Sequence, residues 1–347
     1  MFEDFYRKAA SLTPDVIYIG GDIVHSKTQG ISPELIDSLA EWFTKMAEIA
    51  PVHVILGNHD GLMLNNHRQD AISPIVTALN DSNIHLYKKS GVYPTGVPGF
   101  NWCVFSCFDK PGWENVKPRP GEVNIALFHG AIRGSKTDSD WELGDDADLA
   151  FFKGYDYVML GDIHKQQALD AEGRVWYSGS TIQQNYGESP GKGFLFWDIE
   201  DKNTWRVESY EVAHEQPFVT IDWQSDTVTT LLAAAKHRDR SRFRIRCKSG
   251  ISQAEIKQVY GELKATKKAT EIVFKMEEPK VPNTDQSTPG SVLTEDLRDV
   301  DTHKKLFKDY FPDLSTELRS KLVERDQAEK SVELPPSLNL YSFVPRL

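Results

Sequence analysis

At 347 residues the chain is too long for one ordinary domain and suggests two plus tails, with 39% apolar residues and eight Trp to fill their cores. A net charge of −11 argues against a general nucleic-acid binder, and three Cys, at 103, 107 and 247, are too few for a disulfide framework and lack zinc-finger spacing. No stretch is long and apolar enough to span a membrane, and Met1-Phe2-Glu3-Asp4-Phe5 lacks the basic and apolar regions of a signal peptide, so a cytoplasmic protein with reduced thiols is expected.

In chain order, residues 3–12 read as the end of a helix and Asp15-Val16-Ile17-Tyr18-Ile19-Gly20 as a strand that runs into Gly21-Asp22-Ile23-Val24-His25. Ser32 followed by Pro33 predicts a helix start, with Ser at the N-cap and Pro at N1. Leu35, Ile36, Leu39, Phe43, Met46 and Ala47 then keep helical spacing along one apolar face. Val52-His53-Val54-Ile55-Leu56 reads as a buried strand ending in Gly57-Asn58-His59-Asp60. A helix over 69–80 and a strand at Ile84-His85-Leu86-Tyr87 complete an alternation that implies α/β layers.

From about 90 to 130 strands dominate: Asn101 to Cys107, then Val123 to Phe128, which stops at His129-Gly130. A polar loop is expected over 133–146 and a short helix from Asp148 to Gly154. The buried strand Tyr155 to Leu160 ends in Gly161-Asp162-Ile163-His164, and further strands follow at 166–170, 173–177, 193–199 and 204–210. From Pro217 the pattern becomes βαβαβ: strand 218–223, helix 227–237, strand 242–248, helix 252–266, strand 270–276. The divisions expected are 1–215 as the main α/β body, 216–280 as a small α/β cap, 281–293 as a linker and 294–347 as a charged, mostly helical tail with an apolar end.

Four strands thus end in groups able to hold a metal: Asp22, Asn58, His129, and Asp162 with His164. Any one strand ending in Asp or His is as easily an ordinary polar turn, but four in one layer system are hard to ascribe to accident. Hard oxygen and nitrogen donors of this kind suit manganese, iron, zinc or magnesium. An Asp can bridge two such ions, the arrangement used for in-line attack on phosphorus. His59 is placed to protonate a leaving oxygen.

Gly21-Asp22, Gly57-Asn58-His59-Asp60, His129 and Gly161-Asp162-Ile163-His164 resemble the motifs of calcineurin-like metallophosphoesterases. Within them, Gly21-Asp22-Ile23-Val24-His25 and the small α/β cap make the chain similar to the SbcD-type double-strand-break-repair nucleases and their phage recombination counterparts. The resemblance implies a four-layer sandwich of two mixed β-sheets flanked by helices, followed by the cap and the helical tail. It implies two divalent metals, manganese above all. Asp22 would bridge them, Asn58 and His129 would hold the second, His164 the first, and His59 with His25 would serve the phosphate; Asp60 supports.

Two departures stand out. Asp162 occupies a position usually held by His, and the strand ending in Asp-x-His that usually opens the family's fold is not found upstream of Asp15. Either the chain is an N-terminally clipped form or this protein lacks that metal. The second metal site is therefore expected to be nearly complete and the first crippled, hydrolysis weak or absent, and the sheet left with a gap or an unpaired edge.

Between Pro217 and Lys280 there are 13 Lys and Arg against 8 Asp and Glu, so this part is basic on an acidic chain. Arg242, Arg244, Arg246 and Lys248 alternate with Phe243, Ile245 and Cys247, which puts the cations on one face of a strand. That face would either track DNA phosphates or be an ordinary solvated sheet surface. By the resemblance the partners are DNA, an SbcC-type ATPase docking on the segment after 290, and a second copy of the chain. A phosphodiesterase or phosphatase acting on nucleotide or protein, and a non-catalytic phosphoesterase-like scaffold, remain as other readings.

Overall fold

The computed structural model describes residues 2–25, 31–65, 68–143, 147–247 and 250–276. These fall in the first of the two units into which the chain divides, Met1–Pro279. Segments 281–293 and 294–347, expected as linker and docking tail, lie outside the described residues.

A helix α1 (Phe2–Ser11) leads into strand β1 (Ile17–Ile19), helix α2 (Pro33–Ala47), strand β2 (Val52–Ile55), helix α3 (Ser73–Leu79) and strand β3 (Ile84–Tyr87). The three strands form one parallel sheet in the order β1-β2-β3. The start of α2 is the expected one: Ser32 caps it by accepting from the Leu35 N–H, and Pro33 opens the first turn. Leu39, Phe43, Met46 and Ala47 of α2 bury against Val52, Val54 and Ile84, so the helical stripe read in the sequence is the face that covers the sheet.

The next elements are β4 (Gly91–Pro94), β5 (Phe100–Phe105), β6 (Val123–His129), β7 (Ser135–Lys136), β8 (Glu142–Leu143), β9 (Tyr157–Gly161), β10 (Gln167–Ala168) and β11 (Val175–Tyr177). Six of them make a mixed sheet in the order β10-β11-β9-β6-β5-β4. Both faces of its centre are covered, which is why β6 is buried at every position. Val123, Ile125 and Leu127 pack with Ile55 and Tyr18 of the first sheet, while Ala126 and Phe128 pack outward on Phe152, Trp113 and Tyr177. The result is a layered α/β body: helices, parallel sheet, mixed sheet, then an outer layer that includes 3-10 turns at Lys110–Asn115 and Leu149–Phe152. The second of these is the short helix expected from Asp148 to Gly154, and the polar loop at 133–143 carries the β7–β8 hairpin.

Strands β12 (Gly193–Ile199) and β13 (Trp205–Glu211) form a separate antiparallel ribbon. A cavity of about 600 Å³ is lined by both β1 and β12, each an edge strand among the described residues, together with Phe2, Phe5, Trp102 and Met159. The buried hydroxyl of Tyr18 and the buried indole nitrogen of Trp102, both on this cavity, have no hydrogen-bond partner among the described residues. The cavity thus lies along the β1 edge of the first sheet.

Strand β14 (Phe218–Asp222), helix α4 (Thr227–Ala235), strand β15 (Arg242–Cys247), helix α5 (Gln253–Thr266) and strand β16 (Glu271–Met276) form the βαβαβ unit, a parallel sheet in sequence order. Val219, Ile221, Ala234, Phe243, Ile245, Val259 and Leu263 give it a core of its own. Its α5 begins with a full capping box between Ser252 and Glu255.

Candidate metal centre

Two neighbouring parallel strands of each sheet, β1 with β2 and β6 with β9, end at one rim. The carboxyl ends of parallel strands are where open α/β sheets place their ligands. The backbones come very close there. A Cβ built on Gly57 would sit 2.2 Å from Asp22 Oδ1, one on Gly161 would sit 2.0 Å from the Gly20 carbonyl, and one on Gly21 would sit 2.5 Å from the Gly57 nitrogen. The Gly that precedes Asp22, Asn58 and Asp162 is thus demanded by close approach. Asp22 and Asp162 both have positive φ, +53° and +94°, a costly conformation for a non-Gly residue that clusters at functional sites.

Four of the residues predicted from the sequence meet. The carboxylates of Asp22 and Asp162 and the ring of His129 offer atoms within 4.8 Å of one another. His129 Nε2 is 3.3 Å from Asp22 Oδ1, 3.7 Å from Asp162 Oδ1 and 3.3 Å from Asn58 Oδ1. Its Nδ1 lies 2.6 Å from the Gly20 carbonyl, which can only accept, so Nδ1 carries a proton and, whenever the ring is neutral, Nε2 turns a bare lone pair towards the oxygens. Three oxygens and an imidazole lone pair aimed at one another repel unless something positive lies among them. The donor set therefore fits a divalent cation, and Asp22, Asn58, His129 and Asp162 are the residues that would hold it.

The electrostatics agree. Burial opposes ionisation of Asp22, but the hydrogen bond and charge of His129 and the His59 N–H, 2.9 Å away, outweigh it and hold the carboxyl below its usual range. Burial likewise opposes charge on His129, and Asp22, the Gly20 carbonyl and Asp162 overcome it, raising its affinity for a proton. A proton and a cation thus compete for one place.

Asp60 supports the rim from inside. Fully buried, it accepts N–H bonds from Ile23 (2.8 Å) and Val24 (3.1 Å) on Oδ1 and from Gly57 (2.8 Å) on Oδ2, which ties the loop after β1 to the loop after β2. His59 and His25 are exposed beside this junction. Their rings stack with centroids 5.8 Å apart, and His59 Nδ1 bonds the His25 carbonyl.

His164 lies outside the convergent group. Its Nδ1 is 2.9 Å from Glu188 Oε1, in a part of the chain that sequence reasoning did not single out. The arginines of β15 have partners within the protein. Arg244 donates to the Tyr186 carbonyl (3.0 Å) and to Thr220 Oγ1 (3.1 Å), and its guanidinium lies 5.0 Å from the Tyr186 ring centroid. Arg242 covers the Phe218 ring at 4.7 Å, and Arg246 makes a bidentate pair with Asp222 at 2.6 and 2.9 Å. Arg242 and Arg244 are half-buried, while Arg246 is exposed. Alternation separates the two faces of a strand but does not reveal what covers each. Lys248 lies outside the described residues.

Residues 1–166 match the family model of the calcineurin-like phosphoesterases. Over 217 residues the chain is 39% identical to the uncharacterized protein R555 of Acanthamoeba polyphaga mimivirus, a match covering 59% of this chain and 16% of that protein. Over 197 residues it is 25% identical to protein 244L of Invertebrate iridescent virus 6, proposed to be a phosphoesterase, covering 54% of this chain and 65% of that protein. The chain thus spans less than two thirds of either relative. Among the described residues no helix is long and apolar enough to cross a membrane. The match to the calcineurin-like phosphoesterase model covers residues 1–166, the part of the chain that carries the donor set gathered at the sheet rim.

Proposed function

We propose that the chain is a metal-dependent phosphodiester hydrolase whose substrate is nucleic acid, a nuclease subunit of the SbcD type. The observation that carries the reading is the convergence of Asp22, Asn58, His129 and Asp162 beside two exposed imidazoles. Asp22, Asn58, His129 and Asp162 would hold a divalent cation, manganese by preference, which would supply Lewis acidity towards a phosphoryl oxygen and lower the pKa of a water. His129 is locked by the Gly20 carbonyl in the tautomer that leaves Nε2 free. The His25 carbonyl fixes the His59 ring, and His59, once protonated, can deliver a proton to a leaving alkoxide at the mouth of the site. His25, stacked beside it, adds a second imidazole for a diester phosphate.

Pairing with DNA, with an SbcC-type ATPase through the segment after 290, and with a second copy belongs to the same proposal, as does a DNA-handling role for residues 216–280. Among the described residues one donor cluster of this kind is found, and His164 is bound to Glu188 outside it. That observation favours a second reading, a scaffold that binds a single ion and turns over slowly or not at all.

The test is hydrolysis of bis-p-nitrophenyl phosphate and of an oligonucleotide with manganese present. Slow cleavage that chelator abolishes and Asp22→Asn abolishes supports the first reading. Manganese binding with no cleavage of either substrate supports the scaffold, and cleavage indifferent to both chelator and Asp22→Asn contradicts both.

A further inference from the structure

Residues 183–192 hold a cluster of buried charge that the proposed chemistry does not use. The Glu188 side chain is 5% exposed and Lys192 is 4% exposed. Glu188 Oε1 lies 2.9 Å from His164 Nδ1 and accepts from Asn185 Nδ2 at 2.9 Å, while Oε2 accepts the Gln184 N–H at 3.0 Å. Lys192 Nζ sits 3.6 Å from Glu188 Oε2, 2.8 Å from Asp138 Oδ2 and 2.6 Å from the His164 carbonyl. Asp138 in turn accepts the Ser189 N–H at 3.0 Å. Two acidic groups and the Lys cation are thus desolvated around one imidazole. His164 is gripped at its ring by Glu188 and at its carbonyl by Lys192.

A buried ion cluster is weak support for stability, since desolvation offsets most of the Coulomb gain. A better account of it lies in the ring it holds. An ionised carboxylate only accepts, so its partner nitrogen must carry the proton, and the other ring nitrogen is left with its lone pair. A carboxylate on the far nitrogen of a histidine also fixes ring orientation and raises the basicity of the free nitrogen.

We propose that Glu188 is a positioning residue for His164. It holds the ring in the Nδ1–H tautomer and so presents a bare Nε2, with the Gln184 N–H, Asn185 Nδ2 and Lys192 holding the carboxylate in place. What His164 then engages depends on the functional reading above; the tautomer does not.

The experiment is a long-range proton–nitrogen correlation spectrum of the full chain labelled with ¹⁵N-histidine, without metal, at a pH where His164 is neutral. His164→Gln assigns the resonance. In the parent, His164 should show the Nδ1–H tautomer. Glu188→Ala should move it at least half-way to the Nε2–H form that free imidazole prefers, and Glu188→Gln, whose amide oxygen still accepts, should retain most of the parent pattern. His129 is the internal control for folding, because its Nδ1–H rests on the Gly20 carbonyl and not on Glu188; if the Ala variant loses that signal, the comparison is made with Glu188→Thr. An Nε2–H tautomer in the parent, or a parent-like pattern once the carboxylate is gone, would overturn the assignment. Because no turnover is measured, absence of phosphodiesterase activity leaves this result standing, and the reverse.

Discussion

Replacing Asp60 should loosen the rim without touching a candidate ligand. Its carboxylate accepts three backbone N–H groups, those of Ile23, Val24 and Gly57, at 2.8 to 3.1 Å and away from water. Hydrogen bonds to a charged acceptor contribute about 1.5–3 kcal/mol each, and an abandoned buried donor costs the upper part of that range. Some relaxation is expected because two of the donors are adjacent, so Asp60→Ala should cost about 4 kcal/mol. That lowers the melting temperature by roughly 10 °C in a body of this size. Asp60→Asn keeps an oxygen for Ile23 and Val24 but turns an NH₂ towards the Gly57 N–H, for a loss of about 2 kcal/mol. Urea denaturation followed by tryptophan fluorescence at pH 7.5 reads both. An Asn variant as stable as the parent, or an Ala variant within about 1 kcal/mol of it, would refute the account of Asp60 as the tie between the two loops.

Burial pushes Asp60 up to about 6, against the opposing N–H bonds from Gly57 and Val24. A carboxyl raised in the folded state favours folding below its unfolded value and loses that contribution as pH rises through about 6. Relative to Asp60→Asn, the parent should lose roughly 2–3 kcal/mol between pH 4 and 7; a flat difference across that window would be the contrary result. Tyr18→Phe removes a buried hydroxyl without a partner among the described residues and should leave stability unchanged or raise it by about 1 kcal/mol, and a loss of that size in a thermal melt would show that the hydroxyl is bonded after all. Burial pushes Cys103 and Cys107 up to about 12 and raises Cys247, so a thiol reagent should titrate none of the three until denaturant is added. Because Arg242, Arg244 and Arg246 are committed within the protein, replacing all three with Ala should change the slope of log affinity for DNA against log salt by less than about 0.9, one phosphate contact. A drop of two contacts or more would restore the stripe as a phosphate track.

The layered body and the rim were legible because their signals are local. Apolar runs gave β2, β6 and β9, Ser32-Pro33 gave the start of α2, and a Gly before Asp22, Asn58 and Asp162 marked the close backbone approaches later seen at Gly21, Gly57 and Gly161. That these strand ends face one another was an inference from parallel topology, and the convergence on His129 Nε2 accords with it. What could not be read depends on tertiary neighbours. Glu188 and Lys192 in Glu-Ser-Pro-Gly-Lys look like an exposed polar turn, and only the fold brings them to His164. The alternation of β15 was read correctly, but its cationic face meets Tyr186 and Phe218, residues whose approach no pattern within β15 announces.

The central claim is that Asp22, Asn58, His129 and Asp162 grip one cation. Manganese titration followed by electron paramagnetic resonance tests it most directly, on the parent and on His129→Ala and Asp22→Asn. The account predicts one saturable ion per chain, at least 10-fold weaker in either variant, the usual scale for losing a ligand or its support. No saturable ion in the parent, or an affinity that neither substitution moves, would contradict it.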